Sequence, residues 1–210
     1  MGASQGRFIV FEGLDGSGKS TQVRYLARRL QRQRVRVYET FEPTDSPIGA
    51  LIHQIMVGRI HCDHKTIAAL FVADRIDHLL NEVNGIYHKV TNGTIVVSDR
   101  YYFSSYAYHG VHLPIEWIVQ ANSLAADVLR PDVNIFLDVP PDECVARLNR
   151  EKWHLELYEN SDMLHRVRQK YLESFAMLKD RERVLVVKAD DDPEKVADEV
   201  WSGIKDIVGP

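Results

Sequence analysis

An apolar run, Phe8-Ile9-Val10-Phe11, stops at a glycine-rich turn, and a helical pattern takes over from about Lys19. The turn reads Gly13-Leu14-Asp15-Gly16-Ser17-Gly18-Lys19-Ser20. This strand–turn–helix junction constrains the chain more than any other segment. Glycines at these spacings let several backbone N–H groups converge on one anion, and the helix behind them adds its positive end. Gly13-x4-Gly18-Lys19-Ser20 is thus a phosphate-binding loop pattern in the context it requires. Lys19 supplies a mobile positive charge for the terminal phosphates of a nucleoside triphosphate, and the Ser20 hydroxyl is a hard oxygen ligand suited to Mg2+. Glu12 and Asp15 do not belong to the generic pattern. A carboxylate among phosphate-binding groups repels phosphate, so Asp15 is expected to face something else, such as the hydroxyls of a second substrate. Stabilisation of the turn itself is the plainer alternative.

Further apolar runs alternate with helical patterns. Val35 to Glu39, Thr94 to Val97, Val133 to Leu137 and Val184 to Val187 read as strands. Helical segments are predicted from about Ile48 to Val90, with a break near Gly58 to Asp63, and from Ile115 to Leu129, where Pro131 ends the pattern. A closing helix carries Val196, Val200, Ile204 and Ile207 on one side. Nearly continuous apolar strands separated by helices predict an α/β fold, a parallel sheet covered on both faces. Ligands in such sheets bind beyond the carboxyl ends of the strands.

With 210 residues, one full core suffices, and a single domain over 1–210 is expected. The net charge of −4 argues against a general nucleic-acid binder. Arg24, Arg28, Arg29, Arg32, Arg34 and Arg36 cluster, but Val23, Leu26, Ala27 and Leu30 recur between them at helical spacing, so the arginines read as a solvated helix face and its exit. Cys62 and Cys144 lack metal-ligand spacing and suggest no disulfide framework. No signal core or membrane-length apolar run is visible, so a cytoplasmic location without membrane contact is expected.

Candidates for a second substrate lie after the third strand. Asp99, at its tip beside the phosphate loop, is placed to bind Mg2+ directly or through water. Arg100 follows and can fork two N–H donors onto a second phosphate; a structural Asp–Arg pair is the alternative. Phe71, Asp74, Arg75 and His78 share a helix face. An aromatic ring beside an arginine suits a nucleobase, although a Phe that anchors a helix bearing solvated charges is as common. Ser105 and Tyr108 fall three apart and can face one site. Arg147, Arg150 and Lys152 precede a polar stretch up to Tyr158, which suits a closing lid over about 148–158. Cations at a helix C-terminus are the competing explanation.

In order, these pieces resemble the thymidylate kinase family, of the nucleoside-monophosphate kinase class of phosphate-loop proteins. The carrying segments are Phe11-Glu12-Gly13-Leu14-Asp15-Gly16-Ser17-Gly18-Lys19-Ser20-Thr21, Glu42-Pro43, Phe71-Val72-Ala73-Asp74-Arg75, Ser98-Asp99-Arg100-Tyr101, Ser104-Ser105-x-Ala107-Tyr108-x-Gly110 and the region Arg147 to Glu159. The resemblance implies a five-stranded parallel sheet and ATP-dependent conversion of dTMP to dTDP. It implies that residues 13 to 21 and Arg147 hold ATP, and that Glu42, Pro43 and Ser105 help to bind dTMP. Phe71 would lie on the thymine ring, with Arg75 on a base carbonyl. Asp15 would meet the sugar 3′-hydroxyl, Tyr108 would crowd the 2′ position, and Arg100 would hold the acceptor phosphate. A homodimer is expected by the same analogy. Three departures stand out: Phe41 where many members carry Arg, His109 where Gln is frequent, and Gly16 where some carry Arg. With a small residue at position 16 a lid Arg takes the catalytic role, Arg150 first and Arg147 second.

A phosphate-monoester acceptor has a second pKa of about 6, so its attacking oxygen is already largely anionic and needs no general base. The difficulty is to bring two anions together, which Lys19, Mg2+, Arg100 and a lid Arg would relieve. A kinase for another nucleoside monophosphate or a deoxynucleoside is the nearest alternative, and a deoxynucleoside hydroxyl would need Glu12 as a base. A GTP-dependent switch would carry the guanine-reading Asn-Lys-x-Asp sequence, which this chain lacks, and a non-catalytic binding module would have no need of a second substrate site.

Overall fold

The computed structural model describes residues 6–151 and 161–209. The strands are β1 (Phe8–Gly13), β2 (Val37–Phe41), β3 (Ile95–Asp99), β4 (Val133–Asp138) and β5 (Val184–Lys188). They form one parallel sheet in the order β2-β3-β1-β4-β5. The apolar continuity of β1, β3 and β4 has the expected cause: they occupy the middle of the sheet, and Phe8, Ile9, Val10, Val96, Val97, Ile135 and Phe136 are inaccessible to solvent.

The helices are α1 (Lys19–Arg32), α2 (Pro47–Met56), α3 (His64–Leu80), α4 (Ile86–Thr91), α5 (Tyr102–Tyr108), α6 (Ile115–Ala121), α7 (Ser123–Val128), α8 (Pro141–Glu151), α9 (Ser161–Leu178) and α10 (Pro193–Val208). Helices α1 and α10 pack on each other, each also against the sheet, and α5 and α9 form another packed pair. In the α9 group, Tyr171 and Phe175 lie 5.0 and 5.1 Å from the Phe136 ring of β4. Val23, Leu26, Ala27 and Leu30 of α1 are buried, while Arg24, Arg28 and Arg32 face solvent. Among the described residues no helix is long and apolar enough to cross a membrane.

Several boundaries differ from the sequence expectation, each for a local reason. Strand β2 starts two residues late because α1 ends in a left-handed cap: Arg34 has φ 63°, and the N–H groups of Arg34 and Val35 return to the carbonyls of Gln31 and Leu30. The long helical region breaks near residues 58–63 as expected and again at Asn81, whose side chain accepts the N–H of Val83 at 3.0 Å. The helix expected from Ile115 to Leu129 is two helices that meet at Asn122, a side chain turned inward to Arg75. Helix α9 had no helical reading in the sequence, and α5 only the helical turn on which Ser105 and Tyr108 fall three apart.

The order reverses around β1, with β3 on one side and β4 on the other. A crevice opens at such a reversal beyond the carboxyl ends of the strands. Gly13, Asp99 and Asp138 end the three strands that meet there.

Candidate active site

Residues 13 to 18 leave β1 and deliver the chain into α1. Gly16 and Gly18 have φ values of 82° and 91°, a region that side chains disfavour. Lys19 curls back so that its Nζ donates to the Leu14 carbonyl at 2.8 Å. Burial and the neighbouring Arg100 charge push its ammonium pKa down, outweighing the nearby carboxylates. An anion arriving in the loop relieves that penalty. The Ser20 hydroxyl donates to the Asp99 carboxylate at 2.6 Å, so two oxygen donors fit for a hard cation stand side by side at the loop's edge.

Asp99 and Arg100 are not a pair. Arg100 has φ 75°, unusual for a side-chain-bearing residue, and its turn is pinned from β1. The Arg100 N–H donates to the Phe11 carbonyl at 2.8 Å, and the Tyr101 N–H to Glu12 at 3.0 Å. This kink swings the guanidinium away from Asp99 to Asp15, with further bonds to Ser104 Oγ at 3.0 Å and Tyr108 Oη at 3.3 Å. Tyr108 donates to Asp15 at 2.8 Å. Asp15 therefore faces outward across the crevice, as its charge requires, and its carboxylate does not bond the turn it sits in. Burial alone would raise its pKa, but the charges of Arg100 and Lys19 outweigh that and hold it at about 2.

Glu12 lies one residue before the loop and is wholly buried. Its carboxylate accepts from Ser104 Oγ at 2.6 Å and Tyr171 Oη at 2.9 Å, as well as from Tyr101 N–H. A saturated carboxylate sealed from solvent is poorly placed to take a proton from an acceptor hydroxyl, which removes the base that a deoxynucleoside kinase would use. Burial, only partly offset by these donors, lifts its pKa to about 6. A carboxylate raised from 4.5 on folding contributes stability below pH 4.5 that is lost as pH rises through about 6. Unfolding free energy is therefore expected to fall by about 2 kcal/mol from pH 4.5 to 7 relative to Glu12→Gln. Urea melts of both proteins at four pH values check this, and parallel pH profiles would refute it.

Helix α3 turns a polar face inward. Arg75 is 1% exposed and held on every side. It donates to Glu42 at 2.7 and 2.9 Å, Ser105 Oγ at 3.0 Å, the Tyr101 carbonyl at 3.1 Å and Asn122. Glu42, whose bond to Pro43 is cis, also meets His78 Nδ1 at 3.2 Å. Asp74 binds the Thr44 N–H at 2.8 Å, the Thr44 hydroxyl at 2.6 Å and the Ser46 hydroxyl at 2.9 Å. The reading of Phe71 as a helix anchor among solvated charges therefore fails: Asp74 and Arg75 are buried. Phe71 itself is half-buried and meets the His109 ring at 5.0 Å.

These residues bound two neighbouring spaces that share part of their walls. A cleft of about 1050 Å³ runs over the phosphate loop, and Ser20, Asp99 and Arg147 are among its walls. A smaller pocket of about 140 Å³ is walled by Phe71, Arg75, Ser105, Tyr108 and His109. Asp15 and Arg100 line both. Of the lid cations, Arg147 reaches the loop, 3.5 Å from the Gly16 carbonyl, and also binds Glu143 at 3.1 Å. Arg150 is exposed and does not line the cleft. Lys152 and the rest of the segment expected to form a lid, up to 158, lie outside the described residues.

A family model described as Thymidylate kinase matches residues 11–200. The chain belongs to the thymidylate kinase family. Among its relatives is a protein of Caldivirga maquilingensis, 42% identical over 168 residues, 79% of this chain and 78% of that one. Relatives in Pyrobaculum aerophilum and Thermococcus kodakarensis are 40% and 32% identical, and each match covers 96% of this chain and 97% or 98% of theirs. All three bear the name probable thymidylate kinase.

The chain's departures from the common thymidylate kinase pattern have physical correlates. A Cβ on Gly16 would stand 2.6 Å from the Cys144 carbonyl of α8, so the roof of the loop leaves no room for any side chain. Gly16→Arg is expected to weaken ATP binding at least tenfold, because both the positive φ and the α8 contact would be lost; calorimetric titration checks it. His109 is buried and pushed down to about 3 by desolvation and by the Arg75 charge, so it lines the pocket as a neutral imidazole. Phe41 ends β2 at the mouth of the large cleft, 43% exposed, and carries no charge where the family often has one. The sequence reading missed His53 and Met56 in the pocket wall and Tyr171 behind it, and gave Ser104, quoted within a family segment, no role of its own. A signal existed only for the first two, three apart on a helix expected there.

Proposed function

We propose that this chain transfers the γ-phosphoryl group of ATP to dTMP, giving dTDP and ADP. The observation that carries the reading is the pair of neighbouring spaces with Asp15 and Arg100 on their common wall. A phosphate loop on one side and a pocket bounded by an aromatic ring and an arginine on the other suit a donor triphosphate and an acceptor nucleotide. Family membership and the names of the relatives support the same choice.

In this reading residues Gly13 to Thr21 cradle the ATP phosphates, and Lys19 follows the β- and γ-phosphates through transfer. Ser20 and Asp99 would hold Mg2+, which supplies charge neutralisation between the phosphates. Arg100 leaves Asp15 to grip the acceptor phosphate with two N–H groups, and Asp15 is then free to take the sugar hydroxyl. Phe71 stacks on the base, Arg75 donates to a base carbonyl, and Tyr108 closes the space that a 2′-hydroxyl would need. Glu42, Pro43 and Ser105 fix Arg75 and the pocket wall. Arg147 is the better-placed lid cation for the developing charge, with Arg150 arriving only if the segment near 148–158 closes. The acceptor oxygen is largely anionic at neutral pH, so positioning and positive charge do the work and no base is required.

ADP release measured in parallel with dTMP, dUMP, UMP, CMP, AMP and thymidine tests the assignment. The expected order places dTMP first, dUMP within about 10- to 200-fold because one methyl group separates them, and thymidine at background. Preference for a ribonucleotide or for thymidine would overturn it.

A further inference from the structure

Strand β2 ends in an uncharged residue, Phe41, at the wall of the large cleft. The two neighbouring spaces have five wall residues in common: Asp15, Glu42, Pro43, His53 and Arg100. Asp15 and Glu42 repel phosphate, and Pro43 has no N–H to give. Among the described residues that leaves Arg100 and His53 as the only side-chain donors common to both spaces, the N–H groups of Asp15 and Glu42 being taken by Tyr108 and the Asp99 carbonyl. The remaining cations of the large cleft, Lys19, Arg24 and Arg147, line that space alone.

His53 is held there by its helix. Helix α2 starts at a Ser46 cap whose oxygen accepts the Gly49 N–H at 3.1 Å. Asp74 clamps the preceding turn through Thr44 and Ser46, and a side chain on Gly49 would overlap the Thr44 carbonyl, so α2 sits directly against that turn. Ile52 and Ile55 point into the protein. Their burial fixes the rotation of α2, and His53 is left exposed at the junction of the two spaces. Among the described residues its imidazole has no hydrogen-bond or ion-pair partner. An imidazole offers at least one N–H in either protonation state and carries positive charge when both nitrogens are protonated.

We propose that His53 binds the phosphate of the acceptor nucleotide opposite Arg100, supplying from α2 the contact that Phe41 does not supply from β2. The proposal rests on the reading of the smaller pocket as the acceptor site.

The test measures binding of dTMP and of thymidine, together with the KM for ATP, in the wild-type protein, in His53→Ala and in His53→Ala/Phe41→Arg. Loss of an exposed charged or polar contact to phosphate is expected to raise the Kd and KM for dTMP about tenfold. Thymidine has no phosphate, so its Kd is expected to change less than twofold, as is the KM for ATP. Phe41→Arg is expected to return dTMP binding to within about threefold of wild type. Equal weakening of dTMP and thymidine would mean that His53 shapes the base pocket, and would overturn the proposal. So would unchanged dTMP binding, or failure of the arginine to restore it. A wild-type protein that binds dTMP over thymidine but does not phosphorylate it would overturn the kinase reading instead, while the binding comparison would still decide the role of His53.

Discussion

Arg100→Ala is expected to lower turnover of dTMP by about a thousandfold or more while the Kd for ATP moves less than about threefold. The size follows from what arginines contribute when they meet transferring phosphates. The selectivity follows from the geometry: the guanidinium bonds Asp15, Ser104 and Tyr108 on the acceptor side, and touches the loop backbone only through the Gly13 carbonyl at 3.4 Å. The loss has a second component. Without Arg100, Asp15 keeps its negative charge and repels the incoming phosphate. Arg100→Lys should recover little, because one ammonium cannot fork onto two oxygens. Steady-state kinetics with dTMP and calorimetry with ATP measure both halves, and wild-type turnover in Arg100→Ala would remove Arg100 from the mechanism.

Glu42→Gln is expected to cost about 3–5 kcal/mol of folding stability, a large part of what a domain this size possesses. The carboxylate is the main counter-charge of Arg75, and both side chains are nearly inaccessible, at 2% and 1%. Arg75 is held charged although burial, the largest single influence, opposes it: Glu42, followed by Tyr101 and Glu12, together outweigh the desolvation and raise its pKa. Removing Glu42 strands that charge, whereas the double substitution Glu42→Leu/Arg75→Met removes both charges and should cost far less than Glu42→Gln alone. Urea unfolding reports this as a lower midpoint at constant slope. A single variant as stable as wild type, or a double variant worse than the single one, would contradict the argument.

What the sequence made legible divides along physical lines. The phosphate loop, the five strands and the solvated arginine face of α1 were readable because each depends on neighbours within a few residues: glycine conformations, apolar continuity and helical spacing. Helix α5 was legible only as the turn that sets Ser105 and Tyr108 three apart, because all seven of its residues are buried and give no polar face from which to read a period. The wall of the pocket was legible where a family motif named it and silent elsewhere. Tyr171 comes from a helix 159 positions away from Glu12, and nothing local to either marks their bond. Asn122 read as part of a continuous helix, yet its turn toward Arg75 is what divides that helix in two. His53 lay on an expected helix, but nothing local marked it as a wall residue, since its place depends on how Asp74 seats the preceding turn.

Arg75 joins the loop after β2, helix α5, the start of the segment after β3 and the junction of α6 with α7. A residue tied into four parts of the chain cannot be exchanged one step at a time. Any lineage moving this protein toward a different base would have to alter Glu42, Ser105 and Asn122 together with Arg75, through intermediates that fold poorly. The preference of the pocket is therefore historically entrenched, and variation in substrate range should accumulate at residues such as Phe71 and His109, which face the pocket from outside that knot.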